Sequence, residues 1–387
     1  MQPILSVVVP TKNRYEYLEV LIKALLKENS QDFELIIQDN SENNTAFRPY
    51  INAIKDPRFV YNYYPDWLSV CDNCDMGILQ AKGKYICMIG DDDGVLVEKC
   101  IEFCKWMDEN AIDAAKVNPA SYVWPDVTHS VWGNTLSGKL EIANYSSKCS
   151  IIQLENELDD ILKKGGGFGL GILPCLYQGI VSKKILEELR AMTGTCFPGP
   201  SPDMSNAIGL IPFIRKAIQI DFPLVVSGHG AKSTGGQGQR KEHHGDIEQQ
   251  SFLPKDTVKN WDRRIPFFWS GHTIWSESAR RALMATGQET KVKSKFSFAY
   301  LYASCFVYEK YHSKVFDAIK ANRNFIQYCI VWIQIIIYFP IIIFNRGINY
   351  LKNLIKYKSE SQLESQQHDD ISSAISELNS YKLILDK

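Results

Sequence analysis

The first third of the chain repeats one pattern: a short apolar run, a polar turn, then apolar positions three and four residues apart. Ile4-Leu5-Ser6-Val7-Val8-Val9-Pro10 predicts a buried strand, and Leu18, Leu21, Ile22 and Leu25 place a helix over 15–27. Phe33 to Gln38 predicts a second strand that ends in a loop of turn formers, 39–44. The series continues with a short helix near 46–54, a strand at 59–63, a helix over 69–81 and a strand over 85–89. A helix over 95–110 and a strand at 113–117 close it. Strands alternating with helices predict a mostly parallel α/β sheet. Such sheets bind ligands beyond the carboxyl ends of their strands, where strand order reverses.

Three polar clusters fall at such ends: Thr11 to Arg14, Asp39 to Ser41, and Gly90-Asp91-Asp92-Asp93. Each has an ordinary reading: Asn13 as a helix N-cap, Asp39 as an Asx turn, the aspartates as a solvated turn. Their coincidence on one sheet edge favours a site. Adjacent buried carboxylates need a cation, and a divalent metal carrying a polyphosphate suits carboxylate oxygens. No Gly-x-Gly-x-x-Gly follows the first strand and no Walker lysine motif is present, which disfavours a dinucleotide fold or a P-loop enzyme.

Ser6-Val7-Val8-Val9-Pro10-Thr11-Lys12-Asn13-Arg14 followed by Gln38-Asp39-Asn40-Ser41 resembles the start of a family 2 glycosyltransferase of the GT-A fold. The run Ser69-Val70-Cys71-Asp72-Asn73, then Gly77 to Tyr85 and Gly90 to Asp93, resembles that family's approach to its metal motif. The resemblance implies a GT-A, Rossmann-like nucleotide-sugar-binding domain, with Pro10, Thr11, Asn13, Arg14 and Asn73 bordering the nucleotide and Asp39 facing the base. It places Asp92 first and Asp91 second as ligands of Mn²⁺ or Mg²⁺, which would hold the donor diphosphate. Gly90 departs from the family's commonest form, which has Asp there, so one protein carboxylate fewer is expected.

Beyond 119 the chain turns aromatic and polar, with Tyr122, Trp124, Trp132 and Tyr145 read as packing in edge strands or as sugar-stacking groups. The glycine-dense 165–171 segment is expected to be flexible or tightly turned. Pro200-Ser201-Pro202-Asp203 then opens a helical run over 204–217, in which Asp203 is either the helix cap or, by the resemblance, the general base. A strand over 220–226 feeds the loop Ser227 to Gly238, which resembles the family's loop over the donor. Its glycines are expected to permit movement, with His229 and Lys232 approaching the diphosphate and His229 also a candidate for the metal shell. Arg240, Lys241, His243 and His244 add local positive charge.

The chain's end changes character. Helical spacing over 273–285 and 296–311 precedes 325–344, twenty residues without a charge, long enough to cross a hydrocarbon core. Basic residues flank both ends (Lys314, Lys320, Arg323; Arg346, Lys352, Lys356, Lys358), so no positive-inside asymmetry sets an orientation. A helix in the cytoplasmic leaflet satisfies both clusters better than a clean span. The expected division is a catalytic domain over 1–240, a helical extension over 241–322, a membrane-associated helix with basic flank over 323–358, and a polar tail over 359–387.

A net charge of −1 over 387 residues gives no pull toward nucleic acid. No charged-then-apolar leader precedes Ile4, and ten scattered cysteines suit a reducing compartment. The expected protein is a metal-dependent inverting glycosyltransferase on the cytoplasmic face of a membrane. It would move a sugar from a nucleotide-diphosphate donor, first of all a UDP-sugar, to a glycan or lipid-linked glycan acceptor in surface polysaccharide assembly. A sugar nucleotidyltransferase and a non-catalytic membrane-bound binding module are the alternatives.

Overall fold

The structure, a computed structural model, describes residues 2–128, 133, 135–143, 145–233, 244–321, 323–360 and 367–385, with only the backbone of 353–360. The expected alternation is present: β1 (Leu5–Thr11), α1 (Tyr15–Leu26), β2 (Phe33–Asp39), α2 (Arg48–Ala53), β3 (Phe59–Tyr63), α3 (Val70–Gln80), β4 (Tyr85–Met88), β5 (Gly94–Val95), α4 (Val97–Glu109) and β6 (Ala114–Val117). There follow β7 (Ala120–Val123), β8 (Leu140–Glu141), β9 (Cys149–Ile151), α5 (Leu154–Lys163), β10 (Ile180–Ser182), α6 (Lys183–Thr193), α7 (Pro202–Leu210), β11 (Ala217–Ile220) and β12 (Val225–His229).

The main sheet runs β3-β2-β1-β4-β10-β6-β11-β9. The first four strands are parallel, with Thr11 in register with Asp39, while β10 lies antiparallel to both β4 and β6. Strand order reverses on either side of β1, so the carboxyl ends of β1, β2 and β4 meet at a switch point. Alternate residues serve opposite faces, as strand period two requires. Val7, Val9, Leu35, Ile37 and Cys87 pack with α1 and α4, whereas Val8, Ile36, Ile86 and Met88 pack with α3 and α6. Cys71 and Cys74, on the buried side of α3, belong to the second layer, and all ten cysteines are unpaired.

Two boundaries differ from the sequence expectation. The strand expected over 220–226 is two strands in two sheets: β11 pairs with β6, and after Asp221-Phe222-Pro223-Leu224 β12 joins a smaller sheet, β5-β12-β7-β8. The helix expected over 204–217 stops at Leu210, because Pro212 has no N–H to give to the carbonyl four residues back. The glycine-dense segment is tightly turned: Gly165 and Gly166 have φ of 67° and 69°, and a Cβ on Gly165 would lie 2.7 Å from Ser297 O.

The C-terminal region is helical, as expected: β13 (His244–Gly245) and β14 (Trp269–Ser270) precede α8 (Gly271–Ala285), α9 (Glu289–Ser294), α10 (Phe298–Tyr308), α11 (His312–Lys320), α12 (Phe325–Glu360) and α13 (Ile371–Asn379). One described helix, over Phe325–Lys352, is long and apolar enough to cross a membrane. The stretch 359–387, read from sequence as a polar tail, is not freestanding where it is described. Ile371, Ala374, Ile375 and Leu378 of α13 are buried in the first core layer, and His368 O accepts from Tyr122 Oη at 3.0 Å. Four apolar residues on one face of a nine-residue helix suffice for docking although the surrounding composition is polar.

Candidate active site

The turn after β4 carries the three aspartates, and each is buried. They divide into different roles. Asp93 is spent on the fold: its carboxylate accepts from Gly90 N (2.7 Å), Gly228 N (2.8 Å) and Gln178 Nε2 (3.0 Å), joining the two sheets. Asp92 Oδ2 accepts from Gly230 N at 2.9 Å, while Asp92 O accepts from Trp124 Nε1 at 2.9 Å. Asp91 Oδ2 accepts from Thr11 Oγ1 at 2.5 Å and faces Arg14 Nε at 3.1 Å, whereas Asp91 Oδ1 is buried without a partner. Arg14 Nη1 lies 3.9 Å from Asp92 Oδ1.

Electrostatics follow from this crowding. Burial raises the Asp91 carboxyl above its ordinary range against the pull of Arg14, and burial with the neighbouring Asp92 charge raises Asp93. Burial opposes the charge on Arg14, but Asp91 and Asp92 outweigh it and leave the guanidinium raised. Among the described residues this cluster sets one cation, Arg14, against three carboxyl groups, with an unsatisfied oxygen on Asp91.

The other expected donor-side residues gather at the same edge. Asn13 sits in the left-handed region (φ 58°), its N–H donating to Ser41 Oγ at 2.7 Å and its Oδ1 accepting from Glu42 N at 3.2 Å. It does not cap α1, whose cap position is Arg14. Asp39 is fully buried and accepts from Ser41 N, Tyr15 Oη and Tyr61 Oη at 2.8, 2.8 and 2.6 Å, so one lone pair of about four is left over. Asn73 Nδ2 donates to Thr11 O at 3.3 Å and its Oδ1 is buried without a partner. Pro10, the penultimate residue of β1, lies opposite Gln38.

His229 closes β12, and its imidazole contacts Ser121 Oγ at 3.1 Å through Nε2 while Nδ1 is buried and unpaired. Burial lowers its pKa, so the ring is neutral at neutral pH. Lys232 is exposed and paired to Glu16 of α1, away from the aspartates' own hydrogen-bond network. Gly228 and Gly230 lie where no side chain fits. A Cβ on Gly228 would lie 1.7 Å from Asp92 O, and one on Gly230 would lie 2.7 Å from the Tyr17 ring. The rest of the loop, 234–238, and Arg240, Lys241 and His243 lie outside the described residues, as does Trp132.

Asp203 is in the first turn of α7, behind Pro202, with Ser201 at the cap position, so it is not the cap. Its carboxylate makes no hydrogen bond among the described residues, and burial pushes its pKa up to about 6 against the opposing charge of Lys116. Tyr177, absent from the residues expected on sequence, feels both this carboxylate and the acidic turn. Burial, then Asp93, Asp92 and Asp203, hold its phenol well above its ordinary value, so it remains a proton donor. Its hydroxyl lies 3.6 Å from where a Cβ on Gly90 would be, beside Asp92 Oδ1 (3.0 Å) and Asp93 Oδ2 (3.3 Å). Gly90 thus leaves room for a phenol among the carboxylates.

Among the described residues no group of three or more His, Cys, Asp or Glu side chains is placed to hold a metal. A caged, all-protein ion is not what the donor set suits. Mg²⁺ and Mn²⁺ are commonly held by one or two carboxylates with water and substrate phosphate. Asp91, with its unpaired oxygen, and Asp92 fit that arrangement.

Residues 6–146 match the model of glycosyl transferase family 2. WcaA of Escherichia coli (strain K12) is 32% identical over 92 residues, 24% of this chain and 33% of the relative. The GalNAc(5)-diNAcBac-PP-undecaprenol beta-1,3-glucosyltransferase of Campylobacter jejuni subsp. jejuni is 32% identical over 96 residues, 24% of this chain and 31% of the relative. The chain thus spans about a third of the length of the curated relatives it matches. Among solved structures, S. aureus TarS 1-349 in complex with UDP-GlcNAc superposes with a TM-score of 0.41 at 15% identity over 58% of each chain, too loose a likeness to inform fold or ligand.

Proposed function

We propose that this chain transfers a sugar, with inversion, from a nucleotide-diphosphate donor to a hydroxyl of a glycan acceptor, a UDP-sugar being the first donor to test. One observation carries the reading: Asp203, a half-buried residue whose carboxylate makes no hydrogen bond among the described residues, acts electrostatically on Tyr177, whose hydroxyl lies beside the aspartates at the sheet's switch point. In that reading Pro10, Thr11, Asn13, Asp39 and Asn73 border the nucleotide, and Arg14, Asp91 and Asp92 seat the diphosphate. Lys232 would have to leave Glu16 to join them.

Asp203 takes the proton of the acceptor hydroxyl as that oxygen attacks the anomeric carbon. The bond from that carbon to the β-phosphate oxygen breaks, its electron pair staying on the nucleoside diphosphate. The Arg14 guanidinium, raised and fixed by Asp91, stabilises the charge appearing there. A divalent ion on Asp91 and Asp92 would supply further neutralisation of the leaving diphosphate. Buried Asn73 Oδ1 and neutral His229 Nδ1 remain as acceptor or donor groups for the same ligand.

The apolar α12 supports membrane association, and the undecaprenol in the Campylobacter relative's name supports testing a lipid-linked acceptor. The deciding experiment assays Asp203→Asn for nucleoside diphosphate release against a panel of nucleotide sugars with Mn²⁺, using lipid-linked glycan as acceptor. Turnover should be lost while donor binding by calorimetry persists. Undiminished turnover would place the base elsewhere, and a wild-type chain that binds no nucleotide sugar would defeat the transferase reading.

A further inference from the structure

The apolar stretch of α12, Phe325–Lys352, is 28 residues long and reaches a mean hydropathy of 2.1 over its most apolar 18 residues, and length alone leaves open whether it crosses a bilayer or lies in one leaflet. Two observations separate these arrangements. The first is where the helix is attached. Tyr328, Val331, Trp332, Ile335, Tyr338 and Ile342 recur at helical spacing and pack into the cluster built by α10 and α11. Tyr338 meets Tyr300 with ring centroids 5.2 Å apart, and Trp332 meets Phe306 and Phe316 at 6.2 and 5.8 Å. At the far end Arg346 Nη1 donates to Val307 O at 2.6 Å, near the end of α10, with the guanidinium over the Tyr308 ring.

The attachment from Tyr328 to Arg346 covers about 27 Å of helix at ~1.5 Å per residue, nearly the whole ~30 Å of a hydrocarbon core. A crossing helix would have to draw α10 in with it or release it. Drawing it in would bring Arg264 and Asp262, paired at 2.7 Å and held by Tyr302 Oη on Arg264 O, toward hydrocarbon. Removing such ions from water is costly even when they are paired. Releasing it would strip Leu301, Tyr302 and Ile335 of their packing.

The second observation is the arrangement of polar side chains around the helix. At about 100° per residue, Gln327, Gln334, Asn345 and Lys352 fall within roughly 20° of one another, a stripe along one flank. All four are exposed. The outer face and opposite flank carry Phe325 (80% exposed), Ile326 (69%), Ile336 (69%) and Phe344 (68%), with Ile333 and Ile337 between them. A crossing helix would put Gln334 at mid-bilayer with no protein against it, whereas a helix in the membrane plane puts the whole stripe at the headgroups.

We propose that α12 lies in the plane of the membrane, its outer apolar face in one phospholipid leaflet and the Gln327–Gln334–Asn345–Lys352 flank at headgroup level, without crossing. This rests on the membrane association proposed above. The test uses the full chain with Cys149 and Cys329, the cysteines that are not buried, replaced by serine, and single cysteines placed at Asn324, Gln334 or Asn349. Sealed membrane vesicles of both orientations are treated with a membrane-impermeant maleimide. All three positions should label from the same face. Loss of labelling at 334, with 324 and 349 labelled from opposite faces, would overturn the in-plane arrangement. The wild-type chain should also float with phosphatidylethanolamine–phosphatidylglycerol vesicles; failure to float would overturn membrane association itself, leaving the transferase reading to its own assay.

Discussion

Thr11 Oγ1 donates to Asp91 Oδ2 at 2.5 Å, tying the end of β1 to the turn after β4 across the sheet's switch point. The bond fixes the carboxylate whose other oxygen has no partner, so it sets where that oxygen points. Thr11→Val keeps the shape and removes the donor. Leaving a buried carboxylate oxygen short of a hydrogen bond costs about 1–3 kcal/mol. The urea midpoint should fall accordingly, and donor affinity should weaken with it. With Asp91→Asn already present, Thr11→Val should cost less, because the two act through one contact; additive losses would mean that Thr11 stabilises something else.

Asp92→Asn should separate folding from function. The amide oxygen can still accept from Gly230 N, and Trp124 binds the main-chain carbonyl, which the substitution leaves in place. Thermal unfolding should therefore change little. Metal-dependent donor binding, read by titration with and without Mn²⁺, should be lost together with turnover. A variant that binds and transfers normally would remove Asp92 from the site.

Gly228 is required by contact rather than by backbone angle, since a Cβ there would lie 1.7 Å from Asp92 O. Gly228→Ala should destabilise by about 3 kcal/mol or more, at the upper end of overpacking costs. Gly271, at the start of α8, is the control: nothing lies within 4 Å of an added Cβ and its φ is not positive. Gly271→Ala should be neutral or stabilising by up to ~1 kcal/mol, since alanine gives up less chain entropy in a helix. Denaturant melts of the two variants check both.

Much of this arrangement was legible because β1, β2 and β4 are buried on both faces and bounded by turn formers, so their apolar runs and polar ends stand out. The clusters at Thr11, Asp39 and Asp91 then follow from where strands end. What escaped reading was non-local. Tyr177 precedes a three-residue strand, β10, with no periodicity of its own, and its place near Gly90 is set by an isolated parallel bridge to Met88 at the end of β4. The strands β11 and β12 read as one because Phe222 and Leu224 continue the apolar run while the chain changes sheets. Asp203 was found by resemblance and would otherwise pass for a cap; only the structure places Ser201 there.

The burial of α13 makes the C-terminal segment part of the core beneath the main sheet. Ile375 is 4% exposed, and its side chain lies 2.8 Å from where a Cβ on Gly94 would sit, just after the aspartates. Ile375→Ala should cost about 2–5 kcal/mol, the range for truncating buried isoleucine. Ile384, 60% exposed, should tolerate alanine. If Ile375→Ala melts like the wild type, the docking of α13 contributes nothing to the domain.

The last expectation joins stability to chemistry at Asp203. Burial raises its carboxyl from an ordinary 3.8 to about 6, with Lys116 holding it lower than burial alone would. A base must be ionised, so kcat/KM should rise with pH through about 6 and level off above. The same shift has the opposite sign for folding. The native state binds this proton more tightly than the unfolded chain, so the ionised group costs stability. That cost is absent below pH 3.8 and fully present above about 6. Asp203→Asn cannot ionise and should be at least as stable as the wild type at pH 8 while losing turnover. Lys116→Met removes the charge that lowers Asp203, so its acid limb should move to higher pH. A limb that stayed in place, measured by nucleoside diphosphate release across pH 5–9, would assign the titration to another group.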